Sequence, residues 1–180
     1  REISSWSRVL KEVPNAVLWI SNPKQTSKYN LLELFNNKGI NSDRIYFAQR
    51  MDSIGEHLSR HSCADLFIDT FNFNACSTAM DSLWLELPLV TLMGKSFIAR
   101  ISGSLLTNLG LTDLVAHSRC EYEEIIIRLA NDPRLITNIK KRLKEEKKKN
   151  TLFNSENFTR ELENIYEELV LNLQSNYKNF

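Results

Sequence analysis

Small polar residues follow an apolar run in the segment DLFIDTFNFNACSTAMDSLW, Asp65 to Trp84. The apolar run predicts a buried strand, and the residues from Ser77 onward predict a helix that begins shortly after it. At the carboxyl end of such a strand, a helix N-terminus presents free backbone N–H groups and the positive end of its dipole. The small side chains of Ala75 and Cys76 would let an anion approach this backbone closely. The segment therefore predicts an anion site.

Three side chains in the first two turns of the predicted helix have the chemistry to bind a diphosphate and a ribose. The hydroxyls of Ser77 and Thr78 can donate to phosphate oxygens. Asp81 lies one turn further along the predicted helix, where its carboxylate would repel a phosphate but can accept hydrogen bonds from both ribose hydroxyls. A purely structural alternative exists, in which Ser77 caps the helix and Asp81 favours its first turn electrostatically. Spacing alone leaves both interpretations open.

The elements that must position these residues follow from an alternation of apolar runs and amphipathic segments. Such alternation predicts βαβ units around a parallel sheet. The predicted strands are 16–20, 44–48, 65–70, 88–93 and 113–116, and the predicted helices are 3–13, 30–37, 55–63, 77–86, 95–110 and 120–132. Beyond Pro133 the pattern is helical to the end, with a break at 151–154. We predict an α/β domain over 1–132 and a helical C-terminal tail over 133–180 that packs on it.

Bulk composition restricts the class of protein. The 180 residues, 42% of them hydrophobic, suffice for one globular core. A formal charge of +1 gives no reason to expect a nucleic acid or an acidic membrane as partner. Three irregularly spaced cysteines favour a reducing compartment, and no apolar run approaches the roughly 20 residues that a membrane helix needs. We expect a cytoplasmic protein.

The segment from Ala64 to Ala116 resembles the C-terminal catalytic half of the O-linked N-acetylglucosamine transferases, glycosyltransferase family 41. The bacterial members share the pattern D-T-x-x-x-N-x-x-T-T-x-x-D-x-L-W, followed by G-x-P-x-x-T and a segment that ends in S-R. The residues of this chain on pattern positions include Asn74, Ser77, Thr78, Asp81, Trp84, Pro88 and Arg100. The resemblance continues through WSRVLKEVPNAVLWI, RIYFAQRMDSIGEHLSRHSCAD and LFNSENFTRELENIYEEL, and so covers nearly the whole chain.

This resemblance implies a UDP-sugar-dependent transferase of the GT-B architecture, in which two Rossmann-like halves face each other. Residues 1–132 would form the Rossmann-like, UDP-sugar-binding domain of the C-terminal half. Ser77 and Thr78 would hold the diphosphate and Asp81 the ribose, while His57 would pack near the uracil and Arg60 would hydrogen-bond to it. The implied UDP-binding residues are His57, Arg60, Asn74, Cys76, Ser77, Thr78 and Asp81.

The resemblance also predicts the reaction and its partners. The family inverts the anomeric centre without a metal or another cofactor, and the helix N-terminus would stabilise charge on the departing UDP. A metal site at His57 and His61 is not expected, because Glu56 precedes His57 and the order H-E-x-x-H is absent. The parent enzyme would transfer N-acetylglucosamine, or another hexose, to Ser or Thr of proteins, and would carry tetratricopeptide repeats.

Several features depart from the family pattern. Cys76 stands where family members often have His or Gly, and the loop from Arg44 to His57 is one residue longer than the pattern. The phosphate-binding lysine and the acceptor-binding half of the family precede the position of Arg1, so we expect no catalytic residue in these 180 residues and no turnover by them alone. The alternative is a non-catalytic protein-interaction module that keeps the fold without binding a nucleotide.

Overall fold

The computed structural model describes residues 1–21 and 23–177 and has alternating strands and helices. The strands are β1 (Leu18–Ser21), β2 (Ile45–Ala48), β3 (Phe67–Ile68), β4 (Leu89–Leu92) and β5 (Val115–Ala116). The helices are α1 (Glu2–Glu12), α2 (Gln25–Asn36), α3 (Ile54–Ser59), α4 (Ser77–Trp84), α5 (Ile101–Asn108), α6 (Arg119–Asn131), α7 (Pro133–Lys149) and α8 (Ser155–Tyr177). The predicted α/β class, with a helical C-terminal segment, is confirmed.

Every strand pairing is parallel among the described residues. β1 pairs with β2, with Leu18 opposite Ile45, and β4 lies between β3 and β5 in a three-stranded ladder. Parallel neighbours require crossover connections, and the helices between successive strands supply them. The carboxyl ends of β3, β4 and β5 therefore meet at one edge of the sheet.

Several predicted elements differ in length from the structure. The helix predicted over 95–110 is shorter, with a 3₁₀ turn at Phe97–Ala99 before α5, and the strand predicted over 113–116 is limited to Val115 and Ala116. The third strand, predicted over 65–70, is limited to Phe67 and Ile68. Asp69 still donates its N–H to the Val90 carbonyl, whereas the Thr70 N–H turns to the Asp69 carboxylate, so the chain leaves the ladder there. α2 begins at Gln25, five residues before the predicted start. The sequence pattern missed these residues because they are mostly polar and carry no apolar periodicity.

Apolar side chains from helices and strands form the core. Around β1 and β2, the buried cluster consists of Leu10, Leu18, Phe35, Ile40 and Ile45. Leu89 and Val90 of β4 are fully buried, as expected for a central parallel strand covered on both faces. Gly39 has a φ of +74° and ends α2 as its sequence position predicts, since glycine adopts this left-handed conformation without steric cost.

The contacts within the chain group its residues into two compact units, residues 1–143 and 144–180. In the first unit Ile139 and Leu143 of α7 are buried. In the second unit α8 exposes large apolar side chains, among them Ile165 and Leu169. The proposed domains 1–132 and 133–180, and the packing of the tail on the first domain, stay predictions. No described helix combines the length and apolar character needed to cross a membrane.

Candidate functional site

A cavity of about 360 Å³ opens at the carboxyl end of β3. Its walls come from the end of the strand, the following loop and the first turn of α4, that is, residues 67–70 and 73–78. Four of the seven predicted binding residues line it: Asn74, Cys76, Ser77 and Thr78. The structure therefore brings the predicted phosphate-binding residues together at a helix N-terminus.

The N-terminus of α4 carries no side-chain cap among the described residues. Cys76, rather than Ser77, is its N-cap residue, so the alternative in which Ser77 caps this helix is wrong. The Cys76 thiol turns back to the carbonyl of Asn74, with 3.7 Å between sulfur and oxygen. Because the first N–H groups of a helix have no partner within it, an uncapped N-terminus can bind an acceptor from outside the chain.

Asn74 is fully buried, and its side chain bonds within its own loop. Its Nδ2 donates to the Thr70 carbonyl at 2.7 Å, while its backbone N–H donates to the Ile98 carbonyl at 3.1 Å. Its Oδ1 is buried without a hydrogen-bond partner in the described part of the chain. The contacts of Asn74 thus shape the loop, and its direct binding to UDP stays a prediction.

Asp81 lies in the second turn of α4 and is half-buried. It lines neither this cavity nor the second one described below. Ser77 is exposed and Thr78 half-buried at the cavity wall, one turn before Asp81. The ribose role of Asp81 stays a prediction.

A second cavity, of about 500 Å³, lies at the carboxyl ends of β1 and β2. Residues 48–54, Ser21, His57 and Arg60 line it, so the two predicted uracil contacts share one wall. Ser53 and Glu56 form a capping box that fixes the start of α3 and with it the position of His57. Arg60 donates from Nη1 to the Gln49 carbonyl at 3.0 Å, which holds the guanidinium beside the loop after β2.

His57 and His61 are neighbours on one helical face, with ring centroids 5.4 Å apart and an edge-to-face arrangement. The Nδ1 of His61 lies 3.1 Å from the carbonyls of both His57 and Leu58, and the His61 ring is buried. His61 therefore supports the backbone that carries His57. In the described residues no three His, Cys, Asp or Glu side chains are grouped as metal ligands.

Comparison with known proteins shows the family to which the chain belongs. The sequence profile of glycosyl transferase family 41 matches residues 1–162. The chain belongs to glycosyltransferase family 41. It is 29% identical over 163 residues to a UDP-N-acetylglucosamine–peptide N-acetylglucosaminyltransferase of Caenorhabditis elegans, a match that covers 91% of this chain and 14% of that protein. It is 30% identical over 166 residues to a probable enzyme of the same name, SEC, from Arabidopsis thaliana, covering 91% and 17%.

A solved structure is also similar. The structure of a mutant O-GlcNAc transferase from Thermobaculum terrenum superimposes with a TM-score of 0.86 at 25% identity, over 92% of this chain and 32% of the other. The predicted Rossmann-like fold of a GT-B glycosyltransferase is thereby confirmed. The chain spans about one sixth of the length of the curated relatives given above.

Asp69 occupies the first position of the family pattern but is not among the predicted binding residues. It is 1% exposed and lines the first cavity, where its Oδ1 accepts from the Thr70 and Ala75 N–H groups, both at 2.8 Å. Its Oδ2 accepts from the Thr91 hydroxyl of β4 at 2.8 Å. The sequence signals for this cluster are an acidic residue at a strand end before a small polar loop and the place of Asp69 and Thr70 at the start of the family pattern; neither signal indicates the contact with Thr91.

Burial governs the ionisation of this cluster. Desolvation raises the pKa of Asp69, against the opposing effect of the nearby Ser102 hydroxyl and of the hydrogen bonds from Ala75, Thr91 and Thr70. Desolvation also raises the pKa of Tyr122, so its hydroxyl is protonated and able to donate at neutral pH. It donates to the Asp69 carbonyl at 2.9 Å. The carboxylate and the carbonyl of Asp69 are thus both occupied by protein donors.

Proposed function

We propose that this chain is the nucleotide-sugar-binding part of a UDP-sugar-dependent glycosyltransferase. The observation that carries the proposal is the uncapped N-terminus of α4, which opens into a cavity at the carboxyl end of β3. In a parallel α/β sheet this is where anionic ligands bind. Membership of family 41 supports a UDP-sugar as the ligand.

The diphosphate would bind at the first turn of α4. Ser77 and Thr78 line the cavity and would add hydroxyl donors to the backbone N–H groups there. Together these groups would stabilise the charge that develops on UDP as the bond to the sugar breaks, in a mechanism that needs no metal ion. Cys76 would contribute its backbone, since its thiol is directed to the Asn74 carbonyl.

The uracil would occupy the second cavity, where His57 and Arg60 lie on one wall. Arg60 donates one N–H to the Gln49 carbonyl and retains further donors for a base oxygen. Asp81, one turn into α4, would accept hydrogen bonds from the ribose between the two ends of the nucleotide.

The complete reaction extends beyond this chain. In the proposed transfer, the hydroxyl oxygen of a protein Ser or Thr attacks C1 of N-acetylglucosamine while the C1–oxygen bond to the β-phosphate breaks, with inversion at C1. UDP departs with the bonding electron pair. The similar proteins are named peptide N-acetylglucosaminyltransferases, which supports this sugar and acceptor. The acceptor and the transferred proton would be handled by an N-terminal catalytic half of the same polypeptide.

Calorimetric titration of the chain with UDP tests the binding step, with ADP as the competing ligand. We expect saturable UDP binding, weaker ADP binding, and a loss of about tenfold in UDP affinity for both Asp81→Ala and Thr78→Val. Asp65→Ala and Thr137→Val are matched controls, because both residues are exposed and line neither cavity. Absence of UDP binding, or equal losses in the controls, would favour a non-catalytic interaction module.

A further inference from the structure

The loop 70–76, between β3 and α4, sets the position of the helix N-terminus. Two contacts close the loop on itself: the Thr70 hydroxyl donates to the Phe73 carbonyl, and Asn74 Nδ2 donates to the Thr70 carbonyl. Both contacts lie inside the loop and leave its attachment to the sheet to other residues. The fold therefore needs a further group to fix where α4 begins.

Asp69 supplies that attachment at both ends of the loop. One carboxylate oxygen accepts from the N–H of Thr70, where the loop starts, and from that of Ala75, next to the N-cap residue of α4. The other oxygen accepts from Thr91 on the neighbouring strand, which is fully buried. A single side chain thus links β4, the end of β3 and the start of α4.

Both backbone polar groups of Ala75 are held by hydrogen bonds. Its N–H donates to Asp69, and its carbonyl accepts from the Ser102 hydroxyl of α5 at 3.0 Å. Ser102 is fully buried. Because Ala75 directly precedes the N-cap residue Cys76, these two contacts determine the direction in which the first N–H groups of α4 point.

The negative charge of Asp69 is unfavourable at this location unless the carboxylate has a structural role. A carboxylate in the wall of an anion-binding cavity repels the anion, which works against binding. Asp69 is also buried, so its ionised form bears a desolvation penalty. Direct contact with a diphosphate would not offset either cost. Both are offset by the hydrogen bonds from Thr70 and Ala75, which fix the loop, and by the one from Thr91 of β4.

We propose that Asp69 is a positioning residue for donor binding: it preorganises the N-terminus of α4 through Ala75 without contacting the nucleotide. This inference rests on the proposed function for its ligand, UDP. Preorganisation raises affinity because the loop does not have to be ordered when the ligand binds. The carboxylate acts by its geometry, so an amide of the same shape is expected to replace it.

The test compares Asp69→Ala, Asp69→Asn and Thr91→Val in the full chain, by UDP titration and by hydrogen exchange of the Asn74 and Ala75 amides, which donate to Ile98 and Asp69. Asp69→Ala is expected to lose at least about tenfold in UDP affinity and to exchange these amides faster. Asp69→Asn is expected to stay within about threefold, since its Oδ1 can accept from both N–H groups while the Thr91 hydroxyl rotates to accept from its amide. Thr91→Val removes the hydrogen bond from β4 to the same carboxylate and leaves both loop N–H groups bonded. This variant is expected to keep the UDP affinity of the wild type and the slow exchange of these amides.

A folded Asp69→Ala chain with wild-type affinity and exchange would overturn the proposal. Losses in Thr91→Val equal to those in Asp69→Ala would do the same, because they would indicate general destabilisation. If Asp69→Ala does not fold, Asp69→Ser replaces it with the same expectations, because its short side chain cannot span from Thr70 to Ala75. If the wild-type chain does not bind UDP, the proposed function fails, and hydrogen exchange of the Asn74 and Ala75 amides still decides whether Asp69 positions this turn.

Discussion

The hydroxyl of Tyr122 donates to the backbone carbonyl of Asp69 at 2.9 Å and so joins α6 to the end of β3, 53 residues earlier in the chain. Tyr122 is fully buried, and its hydroxyl also accepts from Trp6 Nε1 of α1 at 3.2 Å. Its ring packs edge-to-face on Phe71, with centroids 5.1 Å apart. The backbone at the cavity is thus supported by two helices distant in sequence.

Replacing Tyr122 by Phe is expected to destabilise the chain by about 1–3 kcal/mol, because the Asp69 carbonyl and the Trp6 indole N–H both lose a buried partner. The ring volume and the contact with Phe71 are retained. Urea unfolding measures the difference. Tyr29→Phe is the matched control, since Tyr29 is 65% exposed, and it is expected to change nothing measurable. Equal stability of the two variants would mean that this hydrogen bond is energetically neutral.

The stability of Asp69→Asn relative to the wild type is expected to depend on pH. Desolvation raises the pKa of Asp69 in the folded chain, so the folded state binds this proton more tightly than the unfolded state. As pH rises through the interval between the unfolded and folded pKa values, the wild type loses stability that the Asp69→Asn variant keeps, because its amide does not titrate. Unfolding of both proteins at about pH 4 and about pH 8 should therefore shift in favour of Asp69→Asn at the higher pH. A shift in favour of the wild type would show a lowered pKa.

Much of the site was predictable from the sequence because the information is local. The strand, the small residues and the helix start at Ser77 are adjacent in the chain, and the parallel topology places such a turn at the ligand-binding edge. His57 and Arg60, three residues apart in the segment that forms α3 and the turn after it, were indicated only by the family resemblance. Local pattern and a known topology suffice for the cavity after β3 alone.

The contacts that fix the cavity wall could not be predicted in the same way. Asp69 is linked to Thr91 and Tyr122, which lie 22 and 53 residues further along the chain, and periodicity carries no information on such pairs. The N-cap residue was also uncertain from the sequence, since Ser77 is a better capping residue than Cys76. Tertiary contacts at Ala75 decide where α4 begins, against this local preference.

Gly94→Ala is expected to destabilise the chain by about 1–3 kcal/mol, because an added Cβ would lie 2.5 Å from the Cβ of Ala99. The displaced turn carries the Ile98 carbonyl that accepts from the Asn74 N–H, so UDP binding should weaken as well. Thermal unfolding and titration measure the two effects. Gly55→Ala is the control, since a Cβ there meets nothing within 4 Å, and alanine should stabilise α3 by about 0.5–1 kcal/mol. Stability gains in both variants would contradict the predicted clash.

Arg44→Met is expected to destabilise the first unit by on the order of 3 kcal/mol. The guanidinium donates to the carbonyls of Leu10, Val13 and Ala16 at 2.8–2.9 Å, and so closes the end of α1 and the turn before β1. Methionine keeps the apolar stem but leaves these carbonyls without that donor. Denaturant unfolding provides the measurement. Arg134→Met serves for comparison, because its ion pair with Asp132 is solvent-exposed and should contribute nothing measurable.

Arg60→Met is expected to reduce the preference for UDP over ADP, whereas Thr78→Val should weaken both ligands in proportion. The reason is the division of the predicted binding residues: Arg60 lies at the cavity after β2, and Thr78 at the cavity after β3. If the base binds in the former, losing a charged donor costs about tenfold for UDP and little for ADP. Competition titrations of both nucleotides measure the ratio, and Arg60→Lys, which keeps a donor and the charge, should retain part of the preference. Equal losses for UDP and ADP in Arg60→Met would place the uracil elsewhere.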